Sequence, residues 1–375
     1  MRPVLLLTAA LAALMASGPA PAVAQTVAEP LSPPITGTAS RPFTLRTPKA
    51  GRTRPLVVVV AANGGAETTD YIVPYGVLKD SGVAEVRSLS TEEGPVQLVR
   101  ALRIEADQTL AEFDADEPTG ADIVIVPALA KPNDPVLIAW LRDQAARGAV
   151  IVSVCEGARV LAHARLLGGR RATTHWSALE DLERKYPDTF WVRDLRYVQD
   201  GPIISTTGVT ASIPMSLALV ESIGGPEAAR ATAARLGVSD WSPVHQTSDY
   251  HLSNTDILRA VGSILAFWTH ETLELPISDG VDEVTVALRS DVWSRSYRAR
   301  VVTTANDTTP VISAHGLRIL PDDTHQRGRF VIPPDQGRAA DQLDRSIEAL
   351  GERYGAAARR FAVTGMEYVA PGVQP

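Results

Sequence analysis

The chain carries one cysteine, Cys155, and its position is that of a nucleophile. It follows directly on the apolar run 148–154 and directly precedes a helical pattern that begins at Ala158. Ser153 and Gly157 lie two residues to either side. A tight strand-to-helix turn needs small neighbours and lifts its central side chain above the edge of a sheet, which is the logic of a nucleophile elbow. A helix N-terminus behind the sulfur would favour the thiolate and lower the pKa from the free value of about 8.5. The competing reading is a small buried hydrophobe, as most free cysteines are. A single cysteine excludes an intrachain disulfide. Other chemical signals are weak. His245, Asp249 and His251 have no recognised metal-ligand spacing. Gly64-Gly65 lacks the rest of a phosphate loop. No metal or cofactor is expected.

The elements that would hold Cys155 follow from apolar patterning. The runs PLVVVVA (55–61), DIVIVP (122–127) and GAVIVSV (148–154) are continuous and β-branched, as in parallel strands buried on both faces. Helical patterns at 71–79, 135–147 and 158–167 alternate with them, and a further strand begins at Pro202. Helices are expected over 213–223 and 226–236, the second stopped by Gly237. This alternation gives an α/β fold with a parallel sheet covered by helices, closing near residue 238. Residues 239–280 read as a connecting segment. Asn254 is its expected N-cap, opening a long helix to about residue 269 whose buried face would be Ile257, Val261, Ile264, Leu265 and Trp268.

At 375 residues the chain has room for two domains or one large one. Hydrophobic residues make up 45% and charged residues 21%, an ordinary globular composition that excludes wholesale disorder. The net charge of −7 argues against a dedicated nucleic-acid binder. Residues 1–24 read as a cleaved secretory signal: Arg2, an apolar run over 4–15, and Ala22-Val23-Ala24 as a small-x-small site. That run is too short to span a bilayer of about 30 Å, and no later stretch is long enough. The mature protein is expected in the periplasm or secreted, without stable membrane insertion. Residues 25–54, rich in Pro, read as a tether.

An internal repeat appears beyond residue 280. PVQLVRALRIEADQT (95–109) and PVISAHGLRILPDDT (310–324) align without gaps, with seven identical positions of fifteen. Residues 330–333 echo 124–127, and 284–288 could be a first strand. The region 281–375 therefore reads as a smaller, truncated α/β copy of the first unit. Its strands at 284–288, 299–302 and 311–319 cannot bury both faces alone. They must dock on the 254–269 helix or pair with another chain, which makes a homodimer a candidate assembly.

The stretch VSVCEGARVLAHARLLGGRRATTHW (152–176) resembles the ThiJ/PfpI superfamily, of class I glutamine amidotransferase-like fold. The branch it is most similar to holds isonitrile hydratases and the amidase-like domain of GlxA-type regulators. TDYIVPYGVL (69–78), DIVIVPAL (122–129) and the segment 196–238 agree in the same order. The resemblance implies a flavodoxin-like parallel sheet over 55–238. It makes Cys155 the nucleophile, Asp70 an acid aimed at the thiol, and His175 a group near the elbow that polarises substrate or assists proton transfer. Glu67 is the rival to Asp70. Thr207, Gly208 and Thr210 would line the same pocket. Two departures stand out. Glu156 occupies the place of a histidine found in the protease-like branch, which makes a peptidase doubtful and could raise the cysteine pKa. Ala128-Leu129 replaces a Gly-Gly whose backbone could serve an oxyanion hole, and narrows the pocket. No helix-turn-helix pattern follows residue 238. The expectation is an exported, cysteine-dependent hydratase or amidohydrolase acting on a small molecule. The alternative is a non-catalytic ligand-binding or sensor module.

Overall fold

The computed structural model describes residues 43–99, 101–333 and 337–369. The expected signal and most of the expected tether lie outside the described residues. The first unit contains β1 (Leu56–Ala61), β2 (Ala66–Glu67), α1 (Thr68–Ser81), β3 (Glu85–Ser90), β4 (Pro95–Val99), β5 (Leu102–Glu105), β6 (Gln108–Thr109) and α2 (Leu110–Asp116). It continues with β7 (Ile123–Val126), α3 (Pro135–Ala146), β8 (Val150–Ser153), α4 (Gly157–His163), β9 (Arg171–Ala172), α5 (Trp176–Lys185) and β10 (Phe190–Trp191). It closes with β11 (Tyr197–Asp200), β12 (Ile203–Thr206) and α6 (Ser212–Leu236).

Seven of these strands form one sheet in the order β11-β12-β8-β7-β1-β3-β6, parallel throughout except for the β11–β12 hairpin. Successive side chains of β1 go to opposite faces. Val57, Val59 and Ala61 join a core with α1 and α6, while Leu56, Val58 and Val60 join another with α2, α3 and α4. Burial on both faces is why these strands are apolar without alternation. The α/β sheet expected from sequence is present. The two helices expected over 213–236 form α6, broken at Gly225 where φ is 85°.

The stretch 43–54 is not a free tether. Phe43 is buried edge-on against Tyr197, and its N–H donates to Ser222 Oγ. Arg52 bridges Glu117 and Asp122 at 2.8 and 2.9 Å. Proline removes helix propensity here but leaves the chain able to dock in extended form.

After α7 (Asn254–Leu265) come β13 (Glu271–Pro276), α8 (Glu283–Ser294), β14 (Ala299–Ala305), β15 (Val311–Ile312), β16 (Arg318–Ile319), β17 (Asp323–Thr324), β18 (Phe330–Val331), α9 (Ala339–Tyr354) and α10 (Ala356–Met366). The second sheet runs β17-β14-β13-β18, which repeats the order β6-β3-β1-β7 of the first. The register of the 95–109/310–324 repeat, extended without a gap, carries β1 onto β13, α1 onto α8 and β6 onto β17. The repeat thus begins at Glu271, inside the segment read as a connection. Residues 284–288 are not a strand but lie in α8, the counterpart of α1. Every residue of α8 is buried. A helix covered on all sides shows no 3.6-residue period, and the run VTVAL is β-branched enough to read as a strand. The helix α2 has no counterpart, because only five residues separate Thr324 from Phe330.

The second copy docks on the first copy itself. It packs α8 against α1 and adds its β15–β16 hairpin to the β4–β5 hairpin, with β5 and β16 antiparallel. Ile104 pairs with Ile319, its own counterpart in the repeat. That self-pairing is the signature of an isologous, two-fold interface, here made within one chain. Arg318 pairs with Glu105 at 2.6 Å and Arg103 with Asp322 at 3.1 Å. Asp107 and Asp322, identical in the repeat, do equivalent work: each accepts from the backbone N–H and hydroxyl of the preceding parallel strand, at Ser88 and at Thr303. The apolar face expected for α7 is only partly buried. Leu265 and Trp268, expected to be buried, are exposed together with Leu258, while Ile257, Val261 and Ile264 are half-buried. Among the described residues no helix is long and apolar enough to cross a membrane.

His315 links the two copies. Its ring nitrogens face Asp80 at the end of α1 (3.7 Å) and Glu283 at the start of α8 (2.7 Å). Hydrogen bonds to Asp80 and Glu283 push its pKa up to about 10. A histidine with a raised folded pKa contributes stability that is complete below its unfolded value of about 6.5 and disappears as pH rises to the folded value. Thermal unfolding should therefore show stability falling between about pH 6.5 and 10. In His315→Ala that slope should flatten. An unchanged slope in the variant would place the pH dependence elsewhere.

Candidate active site

Cys155 occupies the expected turn between β8 and α4, with φ at 55°. For a residue with a Cβ this left-handed conformation costs about 1–2 kcal/mol and persists only where surrounding contacts impose it. Here the Cys155 N–H donates to Thr207 O at 3.1 Å, and Thr174 Oγ1 donates to Cys155 O at 3.0 Å. Gly157 must be glycine, because a Cβ there would lie 2.2 Å from the carbonyl oxygen of Val126. Ser153 is fully buried beneath the turn. The small residues that pointed to an elbow in the sequence are those the turn requires.

The charge state differs from the expectation of a helix-stabilised thiolate. Cys155 is only 5% exposed. Burial pushes its thiol well above the usual range, reinforced by the carboxyl groups of Asp70, Glu156, Glu67 and Glu367. The helix N-terminus behind it belongs to a two-turn helix, too weak a dipole to offset that desolvation. The thiol is neutral at pH 7.

Asp70 lies in the first turn of α1, fully buried. Burial, then the charge of Glu67, raise its pKa well above the usual carboxylate range. Its Oδ2 accepts from the Ala128 N–H at 3.1 Å, while its buried Oδ1 has no hydrogen-bond partner among the described residues. The Ala128 N–H is thus committed to Asp70 and is not a free oxyanion donor. Leu129, half-buried, is tied by its backbone to Ala66. Glu67, the rival acid, is the N-cap of α1 and accepts from the N–H groups of Thr69 and Asp70 at 2.7 and 3.1 Å. That cap holds the first turn, and with it Asp70, in place. Thr207 Oγ1 is a second buried polar atom without a partner among the described residues. Leaving such a group unpaired costs about 1–3 kcal/mol, which a ligand that supplies the partner recovers.

The remaining predicted residues are placed as follows. Glu156 turns onto Arg159 at 2.6 Å, and Arg159 also holds Asp181. His175 is the N-cap of α5: Ser177 N–H donates to its Nδ1, leaving Nε2 to face Gly365 O at 3.3 Å. Gly208 and Thr210 meet the C-terminal end of α10. The Gly208 N–H donates to Glu367 Oε2 at 2.8 Å, and Thr210 Oγ1 lies 2.8 and 3.0 Å from the carbonyl oxygens of Glu367 and Met366.

Two residues from the second copy complete this region, and no local sequence signal marked either. Arg295, just after α8, reaches Asp291 at 2.8 Å, Glu67 at 3.4 Å and Gly365 O at 2.7 Å. Glu367 buries its carboxylate among His175, Trp176, Gly208 and His245. Burial alone would raise the Glu367 pKa, but His175, His245 and the Trp176 N–H outweigh it and hold the group below its usual value. His245, weak as a metal ligand in sequence, stacks on Tyr250 and faces Glu367, whereas Asp249 and His251 are exposed. The described residues that bring three potential metal ligands together are Asp282, Glu283 and His315; Glu283 and His315 are already joined in the ion-pair link between the copies, and Asp282 caps α8 through Thr285.

The strain at Cys155 gives a direct stability test. Cys155→Gly should be more stable than Cys155→Ala by about 1 kcal/mol in urea unfolding, because glycine alone adopts positive φ without steric cost. Equal stabilities would mean that the turn is not strained.

Comparison with known proteins agrees with this geometry. Residues 56–222 match the model of the DJ-1/PfpI family. The Parkinson disease protein 7 homolog of Danio rerio is 30% identical over 193 residues, which cover 50% of this chain and 98% of that protein. The isonitrile hydratase of Pseudomonas putida is 31% identical over 171 residues, 44% of this chain and 72% of that protein. The HTH-type transcriptional regulator CdhR of Pseudomonas aeruginosa is 29% identical over 185 residues, and the chain spans only 53% of its length. A strand–elbow–helix centred on a lone cysteine, inside a parallel sheet matched over nearly the whole of a smaller relative, leaves one assignment: this chain belongs to the DJ-1/PfpI family.

Proposed function

We propose that the chain is a cysteine-dependent enzyme that adds water to, or hydrolyses, a small molecule, with Cys155 as nucleophile and Asp70 as proton donor. The observation that carries this reading is a strained, buried thiol near a buried acid of raised pKa whose Oδ1 is unpartnered among the described residues. An inert core cysteine needs neither. The two groups suit a substrate that must be protonated as it is attacked. Asp70 gives its proton to the substrate atom that gains an electron pair. The thiol sulfur bonds to the electrophilic carbon, and its proton passes to the Asp70 carboxylate. Water then bonds to that carbon and the carbon–sulfur bond breaks, with the thiol taking back one proton. The net change is one water added, which fits hydration of an isonitrile-like or carbonyl group and, with departure of an amine, amide hydrolysis. Glu156 in place of a histidine leaves no adjacent base for peptide cleavage.

The low exposure of Cys155 supports a second reading, a ligand-binding or sensor module without turnover. The two separate on kinetics. Against a panel of small isonitriles and amides, Cys155→Ala should abolish turnover and Asp70→Asn should lower kcat by about 10²-fold or more. No turnover by the wild-type chain, together with a thiol inert to iodoacetamide up to pH 10, would leave the binding module.

Export to the periplasm or medium is proposed from Arg2, the 4–15 apolar run and Ala22–Ala24. The acidic charge makes nucleic acid an unsuitable partner for the chain. N-terminal sequencing of the natively produced protein should begin near Gln25. An intact Met1 on the soluble protein would refute export.

A further inference from the structure

Glu367 is held as a ligand would be. Its side chain is 1% exposed, and both oxygens take charge-assisted hydrogen bonds from backbone donors of the first copy: Trp176 N–H to Oε1 at 2.6 Å and Gly208 N–H to Oε2 at 2.8 Å. Two imidazoles flank it, His175 at 3.9 Å from Oε1 and His245 at 3.3 Å from Oε2, the latter without hydrogen-bond geometry. Short bonds of this type are about twice as strong as neutral ones. All four partners lie between residues 175 and 245, in the unit that carries Cys155, whereas the carboxylate arrives from the end of the second copy. Glu367 itself sits in the left-handed region, φ 51°, a strain that its contacts must sustain. The close fit is visible at Gly208, where a Cβ would lie 2.8 Å from the side-chain carbons of Glu367.

This pocket adjoins the nucleophile. Gly208 follows Thr207, whose carbonyl accepts from the Cys155 N–H, and His175 follows Thr174, whose hydroxyl donates to the Cys155 carbonyl. The Glu367 charge acts on the thiol directly. A substrate can reach a cysteine that is 5% exposed only if something moves. The segment 364–367, the final turn of α10, brings Glu367 here; Met366 anchors it in the core, and polar contacts tie its backbone to the pocket: Trp176 Nε1 to Thr364 O, Arg295 to Gly365 O, and Thr210 to Met366 O and Glu367 O.

We propose that the Trp176 and Gly208 N–H groups, with His175 and His245, form a carboxylate-binding subsite beside Cys155, that Glu367 fills it in the resting chain, and that the substrate or ligand carries a carboxylate which enters by displacing Glu367. The donors match such a group in number and geometry: two N–H groups for two oxygens, with an imidazole beside each oxygen. The tethered carboxylate competes at high effective concentration, so a free one binds only with the fraction of chains in which the turn is released. The proposal rests on Cys155 as the centre of the site, but the subsite needs no turnover to be detected.

The test uses the full-length chain and acetate as probe, with acetamide as the uncharged control. Calorimetric titration should show acetate binding to Glu367→Ala at least about tenfold tighter than to the wild type, and acetamide binding to neither. Thr210→Val, which frees the turn but leaves every donor in place, should shift acetate affinity in the same direction. In the wild-type chain, hydrogen exchange across 364–367 should quicken as acetate is added, a readout that needs no folded variant. Acetate binding to Glu367→Ala should persist when Cys155→Ala is added, which separates this subsite from the catalytic reading. Acetate affinity unchanged in a folded Glu367→Ala, acetamide binding as well as acetate, or exchange at 364–367 indifferent to acetate would each overturn the proposal.

Discussion

Helix α1 is the constraint on which the rest of the structure depends. From Thr68 to Leu78 every residue is buried, and its sequence has no solvent-facing stripe. A helix of that kind must be covered on all sides. Its own sheet and α6 cover one side, and α8 covers the other. The second copy of the fold is therefore more than an appendage. It supplies the surface that α1 needs, and its β16 closes the open edge of β5. A single chain thereby makes the kind of isologous contact that usually joins two subunits, with Ile104 against its counterpart Ile319. The truncation of the copy is consistent with this role. It keeps the strands and the helix that form the contact, together with two C-terminal helices, and it lacks the strand and elbow that would carry a nucleophile.

That packing also assembles the chemistry. Asp70 is fixed at the start of α1 by the Glu67 cap, and Glu67 in turn meets Arg295 at 3.4 Å, which comes from the far side of the contact. Several carboxyl groups converge on a small dry region, and they do not share one protonation state. Asp70 is pushed up by burial and by Glu67, whereas Glu367 is held down by imidazoles and backbone donors. Environments that separate like groups in this way assign them separate roles. The first is shifted toward its protonated form, and the second is a charge that answers the N–H groups around it. The Cys155 thiol is pushed up by burial and by the carboxyl groups around it, which disfavours a preformed thiolate.

Much of the fold was legible because its signals are local. Parallel strands buried on both faces must be apolar throughout, so 56–61, 123–126 and 150–153 identify themselves. The turn at Cys155 was legible because a tight strand-to-helix turn leaves room only for small residues, and Gly157 is required by a carbonyl 2.2 Å from its absent Cβ. The repeat was legible at 95–109 and 310–324, where Asp107 and Asp322 must each tie down a neighbouring strand. What the sequence could not determine is whatever depends on residues far apart meeting. The helix at 283–294 looked like a strand because total burial erases the period that marks a helix. The apolar face of α7 looked buried, but hydrophobicity states only a preference, and the second copy took a better surface at α1 and β5. Glu367 lies more than two hundred residues from Cys155 in a stretch with no motif, and its ionised state is set by groups at 175, 176, 208 and 245. Residue types and short spacings determined the sheet and the tight turn at Cys155. Burial and long-range hydrogen bonding, which exist only once the chain has closed on itself, decided the charge on each group around it.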